Sequence, residues 1–452
     1  MTLRFDAHAV RAPASFGLVL AASLAGACGR DSLSIIDADA SHPSDASLAE
    51  PDAQRTVDAR KDALSEQAEQ AEEVGDELRN RDDADALSDA GQEQQDRTDA
   101  AEDVRSDRSP LEDADVSADA GITFSFLPSH TTAAIPATAG VDLSDVVAID
   151  TTSLTLTFDA GITPVAVRFE VDSGDNAVLY AGAWHVNRPV AVTGARRFIA
   201  LATGPVVIDA LLDGSAKGQT PGPGGHVPAV AGGMAGTGDG TAGSTLSAGG
   251  GGGFGSPGAH GGGTSASGGA TFGDLLGDFS GGASGGRGGT IMNAVCLGAA
   301  LGGAGGGAIQ ISAADSIVVD AAGGINVGGG GGGAGCAIGP GPFGGGGGSG
   351  GTIFLESPSI AVSGWLAANG GGGGYTSVGL DGQLSATPAG NGAAGAGPSL
   401  TAAQPGGPAG VVTDGASGGG GGAGRIWLRT RGNAAMQNTL QVSPRARSDV
   451  TI

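Results

Sequence analysis

Few side chains in this 452-residue chain could do chemistry. Asp209 and Asp320 are the acidic residues that a polymer-cleaving enzyme would need, because they stand at equivalent positions after Val206-Val-Ile208 and Ile317-Val-Val319. Ser363 takes that position in the next unit, and an Asp repeated at a turn also serves simply to form the turn. His185 lies between Trp184 and Val186 in a strand-like stretch and is expected on the opposite face from them. Neither His185 nor His130 has a Cys or second His at metal-ligand spacing. His226 and His260 stand alone in glycine. Arg168 and Glu170 would share one strand face as an exposed pair, and Arg196 and Arg197 complete the polar candidates. The pattern G-x-S-x-G recurs at Gly282–Gly286, Gly347–Gly351 and Gly415–Gly419, but none follows a strand and opens a helix. Gly236-Thr-Gly-Asp-Gly240 lacks both the Lys-Ser/Thr of a phosphate loop and a full calcium-binding repeat. These residues lead to the expectation of no enzyme, no cofactor and no metal site.

The elements that must position them are unusual. All but 12 of the 90 glycines fall within Gly214–Gly432, far above the ~7% of ordinary proteins. Apolar phrases of one shape interrupt the glycine. They are Phe198-Ile-Ala-Leu-Ala with Val206-Val-Ile-Asp, Ala308-Ile-Gln-Ile-Ser with Ile317-Val-Val-Asp, and Thr352-Ile-Phe-Leu-Glu with Ile360-Ala-Val-Ser. Arg425-Ile-Trp-Leu-Arg begins a fourth. Such self-similarity marks units that bury their apolar faces on one another. The fold class is therefore all-β, an irregular β-solenoid or β-sandwich-like scaffold with long glycine-rich insertions. The insertions read either as flexible linkers or as side-by-side polyglycine II helices joined through their amides. Apolar anchors such as Phe254, Phe272, Phe279, Phe343 and Tyr375 favour order. Upstream, Ile122–Leu127, Leu154–Phe158, Val165–Val171, Val178–Tyr180 and Trp184–Val186 alternate as strands do. The continuous runs Phe198–Leu201 and Val206–Ile208 predict strands covered on both faces.

The N-terminal third reads as a delivery device. Arg4 and Arg11 precede an apolar run, Ala14–Ala25, too short to span a bilayer and suited to a signal peptide. It ends in Leu24-Ala25-Gly26-Ala27-Cys28, which resembles the lipobox of bacterial lipoproteins and is equally an A-x-A secretory cleavage site. Lipidation at Cys28 would leave Cys296 and Cys336 as an even pair able to form a disulfide in an oxidising compartment. From residue 29 to 120 the chain is acidic and nearly without aromatics, the composition of a disordered tether. The overall charge is −25, with 22 Lys and Arg against 47 Asp and Glu; nucleic acid, which needs a basic face, is excluded as a partner. The organisation is a signal peptide over 1–28, a linker over 29–120, a β-rich segment over 121–213, a glycine-rich strand-repeat domain over 214–432 and a tail over 433–452.

The glycine-interrupted strand phrases resemble the PE-PGRS-like glycine-rich region of bacterial surface proteins, although the chain lacks their Pro-Glu module. The resemblance implies a surface protein, and Gly29 rather than Asp after Cys28, by resemblance to the bacterial lipoprotein sorting rule, implies onward transport to the outer membrane. On this reading the chain is a non-enzymatic, lipid-anchored scaffold, structural or adhesive. Its partners would be the membrane through the anchor, and extracellular matrix, polysaccharide or a surface protein. The alternatives are a secreted carbohydrate-active β-solenoid and a binding module that recruits a protein partner.

Overall fold

The computed structural model describes residues 124–135, 140–228, 237–244, 247–263, 266–273, 279–289, 299–335, 343–397, 402–404, 415–432, 435–436 and 441–451. All lie in one compact unit, Leu111–Ile452. The signal-like segment, the acidic linker and Cys28, Cys296 and Cys336 fall outside the described residues.

The fold is all-β with mixed parallel and antiparallel sheets. The opening strands are β1 (Val146–Asp150), β2 (Thr155–Phe158) and β3 (Phe169–Val171). Rungs of three strands follow. They are β4 (Asn176–Ala181), β5 (Trp184–Val186) and β6 (Val190–Thr193); then β7 (Arg197–Ala202), β8 (Val206–Ile208) and β9 (Leu211–Asp213). Next come β10 (Ala308–Ala313), β11 (Ser316–Val319) and β12 (Gly324–Asn326), and β13 (Thr352–Glu356), β14 (Ser359–Val362) and β15 (Trp365–Ala367). The last group is β16 (Arg425–Thr430), β17 (Ala435–Met436), β18 (Val442–Ser443) and β19 (Arg447–Thr451). Each strand of a rung pairs in parallel with its counterpart three strands later, giving sheets in the orders β18-β15-β12-β9-β6-β1-β2, β19-β16-β13-β10-β7-β4-β3 and β17-β14-β11-β8-β5. Among the described strands, antiparallel pairing is confined to β1 with β2 and β3 with β4.

Like residues stack because the phrases repeat. Ile309, Ile353 and Ile426 are in register, as are Ile311, Leu355 and Leu428, and all six are buried. Each such side chain contributes about 1.5–3 kcal/mol by leaving water. β4 is buried along its whole length, and β7 is buried at every position but Arg197. Phe198–Leu201 is thus covered on both faces, as expected, whereas Val206–Ile208 leaves Val207 only partly buried. The expected strand Ile122–Leu127 is a correction: residues 124–135 contain no strand. Several of their backbone groups bond to side chains, such as Glu356, Gln310 and Asn176, instead of to a ladder. Val165–Val171 likewise shortens to β3.

Between rungs the glycine segments bond to each other with a period of three. Gly344, Gly347 and Gly350 donate to the carbonyls of Ala416, Gly419 and Gly422. Gly345, Gly348 and Gly351 donate to Gly333, Gly330 and Val327, while Gly346 and Ser349 donate to Gly286 and Ala283. Successive amides of 344–351 therefore face three different neighbours. This pairs backbone groups that residues without side chains could not otherwise satisfy.

Candidate functional site

Three polar constellations arise where the rungs bring repeat positions together. The first is the pair Asp209 and Asp320. Ile208 of β8 and Val319 of β11 are register partners, so the residues that follow them stack. The Asp320 amide donates to Ile208 O and the Asp209 amide to Val186 O, each at 3.0 Å. The Ser363 amide continues the series to Val319 O at 2.8 Å. His185 alternates outward from buried Trp184 and Val186, as expected, and its Nε2 lies 2.5 Å from Asp209 Oδ2.

The His185 hydrogen bond, and then one from Asp320, hold the Asp209 carboxyl below the usual carboxylate range. The shared hydrogen bond with Asp209, then desolvation and Asp209's charge, push Asp320 up. Asp209 Oδ1 is sealed from solvent and has no hydrogen-bond partner among the described residues. The two carboxyls, on neighbouring rungs of a half-exposed surface, are thus pushed in opposite directions, the separation of roles that acid–base chemistry uses.

The second constellation centres on Glu356, whose side chain is wholly buried. Position five of the second, third and fourth phrases lies on one row, Ser312–Glu356–Arg429, through the register of β10, β13 and β16, and Leu201 of the first phrase joins it. Arg429 Nη1 donates to Glu356 Oε1 at 2.8 Å. Ser312 Oγ and Gln310 Nε2 donate to Oε2 at 2.8 and 3.1 Å. Ser129 completes the shell, its amide donating to Oε2 at 2.9 Å and its Oγ to Oε1 at 2.6 Å. Arg429→Ala leaves a buried carboxylate without its counter-charge; we expect a loss of about 3–5 kcal/mol, measured as a shift in the denaturant midpoint.

His130 joins this network through Nδ1, 2.9 Å from Gln310 Oε1. Its ring stacks on Phe279 and meets Phe354 edge-on. Burial pushes its pKa below 6.5; Gln310 and Glu356 oppose that shift, and the charges of Arg197 and Arg429 add to it. A histidine held neutral supports the folded arrangement above its unfolded pKa, and that support is lost as pH falls below it. Hydrogen exchange at residues 129–132, corrected for intrinsic rates, should be faster at about pH 5 than at about pH 7, the unfolded histidine titrating between them.

The third constellation joins His226, Asp239 and Ser284. His226 Nδ1 lies 3.0 Å from Asp239 Oδ1, which also accepts the amide and Oγ of Ser284 at 2.7 and 3.1 Å. The order differs from a nucleophile triad, because the carboxylate and not the imidazole sits between the other two. The G-x-S-x-G serines stay inside the glycine packing; Ser349 Oγ, for instance, bonds Ala283 N and O. Among the remaining candidates, Arg168 and Glu170 form the expected half-exposed pair at 2.6 Å, with Arg168 over the Tyr180 ring. Arg196 reaches Asp175, Arg197 reaches the carbonyls of Phe279 and Gly174, and His260 is exposed. Among the described residues no group of three or more His, Cys, Asp or Glu could hold a metal ion, and no helix is long and apolar enough to cross a membrane.

Compared with protein-family models, with curated proteins and with solved structures, the chain matches none of them.

The expectations of a non-enzymatic lipoprotein scaffold, structural or adhesive, and of no enzyme are corrected by these constellations. Buried, interconnected titratable groups around Glu356 and Arg429, with His226 against Asp239, are what a functional site contains; a scaffold would fill the same rows with apolar side chains. The sequence reading passed over Glu356, Arg429, Gln310, Ser312, Ser129 and Asp239. The signal for three of them was present, since Ser312, Glu356 and Arg429 each end a five-residue phrase of one pattern.

Proposed function

We propose that this chain is an exported, carbohydrate-active β-solenoid whose chemistry resides at Asp209 and Asp320. The observation that carries this reading is the stacking of Asp209 and Asp320 after register partners on adjacent rungs, with opposite pKa shifts, beside His185 on an open surface. Supporting the solenoid are the parallel ladders between successive rungs. Supporting polyglycine II packing between them is the period-three bonding of 344–351, since a threefold helix turns each successive amide toward a different neighbour. The resemblance to glycine-rich surface proteins adds the expectation of export.

A polymer can lie along an open ridge where a small molecule would find no enclosure. Glycoside hydrolases hold their two carboxyls roughly 5–5.5 or 6.5–9.5 Å apart. Asp209 and Asp320 follow register partners on adjacent parallel strands and so stand on one side of the substrate. That arrangement suits elimination across a glycosidic bond of a uronate polymer. Asp209 removes the proton α to the sugar carboxylate, and the released electron pair forms a carbon–carbon double bond as the bond to the departing oxygen breaks. Asp320 gives its proton to that oxygen.

A panel of uronate and neutral polysaccharides, assayed for both reducing ends and the conjugated double bond, tests the reading. Double-bond formation on uronate polymers supports it. Reducing ends without the double bond would replace elimination with hydrolysis, and no turnover of any polymer would sink the enzyme.

A further inference from the structure

We propose that the outer face of β7, β10, β13 and β16 is a groove for a peptide turn carrying a Ser-His step, and that Leu127–Thr132 of the same chain, which turns at Ser129 and His130, occupies it as a built-in ligand. The inference is independent of the carboxyl pair.

Much of the bonding reads backbone. Glu356 accepts the Ser129 amide, Gln310 Nε2 donates to Ser129 O at 2.6 Å, and Asn176 Nδ2 donates to His130 O at 2.8 Å. Side chains are then selected at two positions. Ser129 Oγ fits between Glu356 Oε1 and Arg429 Nη1, at 2.6 and 2.8 Å. The His130 ring enters an aromatic corner, 5.4 Å from Phe279 and 4.7 Å from Phe354 between centroids. Beyond them Asp172 receives Thr131 Oγ1 and the Thr132 amide.

The composition of the rows argues that this is recognition and not mere cover. Val178 and Ile199 are in register with Gln310, and Tyr180 and Leu201 with Ser312. The row of Ser312 is aromatic and apolar at Tyr180 and Leu201 and turns polar and charged at Ser312, Glu356 and Arg429. Gln310, by contrast, is a single polar step in a row that returns to Phe354 and Trp427. Burying a carboxylate is costly relative to apolar packing. A cover alone would be served by continuing the apolar row. Leu127 is 76% exposed, while Pro128 beside it is buried and Phe124 packs on the cluster of Phe354 and Trp427, so the polar Ser-His step lies next to apolar contacts of the same segment. Peptide capture by paired backbone contacts plus side-chain pockets is a recurring binding mode.

The test uses the full chain with Ser129→Ala and His130→Ala, which weakens the built-in ligand, and a fluorescent peptide of residues 124–135. Anisotropy should show saturable binding to the double variant, at least about tenfold tighter than to the unaltered chain, where the tethered copy competes at high effective concentration. Replacing Ser-His by Ala-Ala in the peptide should weaken binding at least about tenfold, the scale of losing one anchored side chain. No saturable binding to a double variant that still melts cooperatively overturns the proposal, as does equal binding of the altered peptide. Should the variant not fold, excess peptide added to the unaltered chain decides. Faster hydrogen exchange at residues 129–132 supports displacement, and unchanged exchange overturns it.

Discussion

Asp320→Asn should reduce turnover of a susceptible polysaccharide by about 10²–10⁴-fold, the usual contribution of a positioned proton donor. An amide has nearly the carboxyl's shape and still offers a hydrogen to Asp209, so the fold and substrate affinity should survive. The loss should fall on kcat with KM little changed. Asp209→Asn should cost as much by removing the proton acceptor. In the unaltered chain, activity requires Asp209 ionised and Asp320 protonated. The rate should therefore rise as pH climbs through the lowered pKa of the pair and fall as pH passes the raised one, and the two apparent values belong to the pair rather than to either residue. His185→Ala removes the largest influence holding Asp209 low, so it should move the acid limb to higher pH.

Gly347→Ala should be strongly destabilising. A Cβ there would sit 2.1 Å from the carbonyl oxygen of Gly371, and one on the next residue, Gly348, 2.0 Å from that of Ala304. Both obstacles are backbone, so no side chain can rotate away. Relief requires two glycine segments to separate. Overpacking of this kind costs about 1–3 kcal/mol, and each backbone hydrogen bond opened adds about 0.5–1.5 kcal/mol. Gly347 donates to Gly419 and accepts from Gly252, so a total near 3 kcal/mol or more is expected in the denaturant midpoint. Gly390→Ala is the matched control, because nothing lies within 4 Å of its Cβ position; it should be neutral or slightly stabilising. Equal behaviour of the two variants would show that the glycine segments are not packed backbone to backbone.

The contrast explains what could be read in advance. The phrases beginning at Phe198, Ala308, Thr352 and Arg425 lie in register because their apolar positions repeat with the pleat, and that pattern is local in the chain. Asp209 and Asp320 were visible as equivalents, yet a turn-forming role explained them equally well. Only the stacking of one rung on the next brings these two turn residues to adjacent positions, where their pKa values are pushed in opposite directions. His185 was placed on the correct face by alternation, but its contact with Asp209 depends on parallel pairing of β5 with β8. Position five of each phrase was visible too, whereas the partner that buries Glu356 comes from Ser129, 227 residues away. Nothing in Leu127-Pro-Ser-His-Thr-Thr132 announces that its backbone will bond to side chains. The third constellation was the least legible, because Asp239 and Ser284 sit in glycine with no pattern to align them.

A carbon-13 titration of the Asp carboxyls tests the central claim most directly, with Asp209→Asn and Asp320→Asn used to assign the resonances. The account predicts two linked steps, one below and one above the ordinary aspartate value of 3.8, each step visible at both residues, and collapse to a single step in either variant. Two independent titrations near the ordinary value, unchanged when the neighbour is replaced, would contradict it.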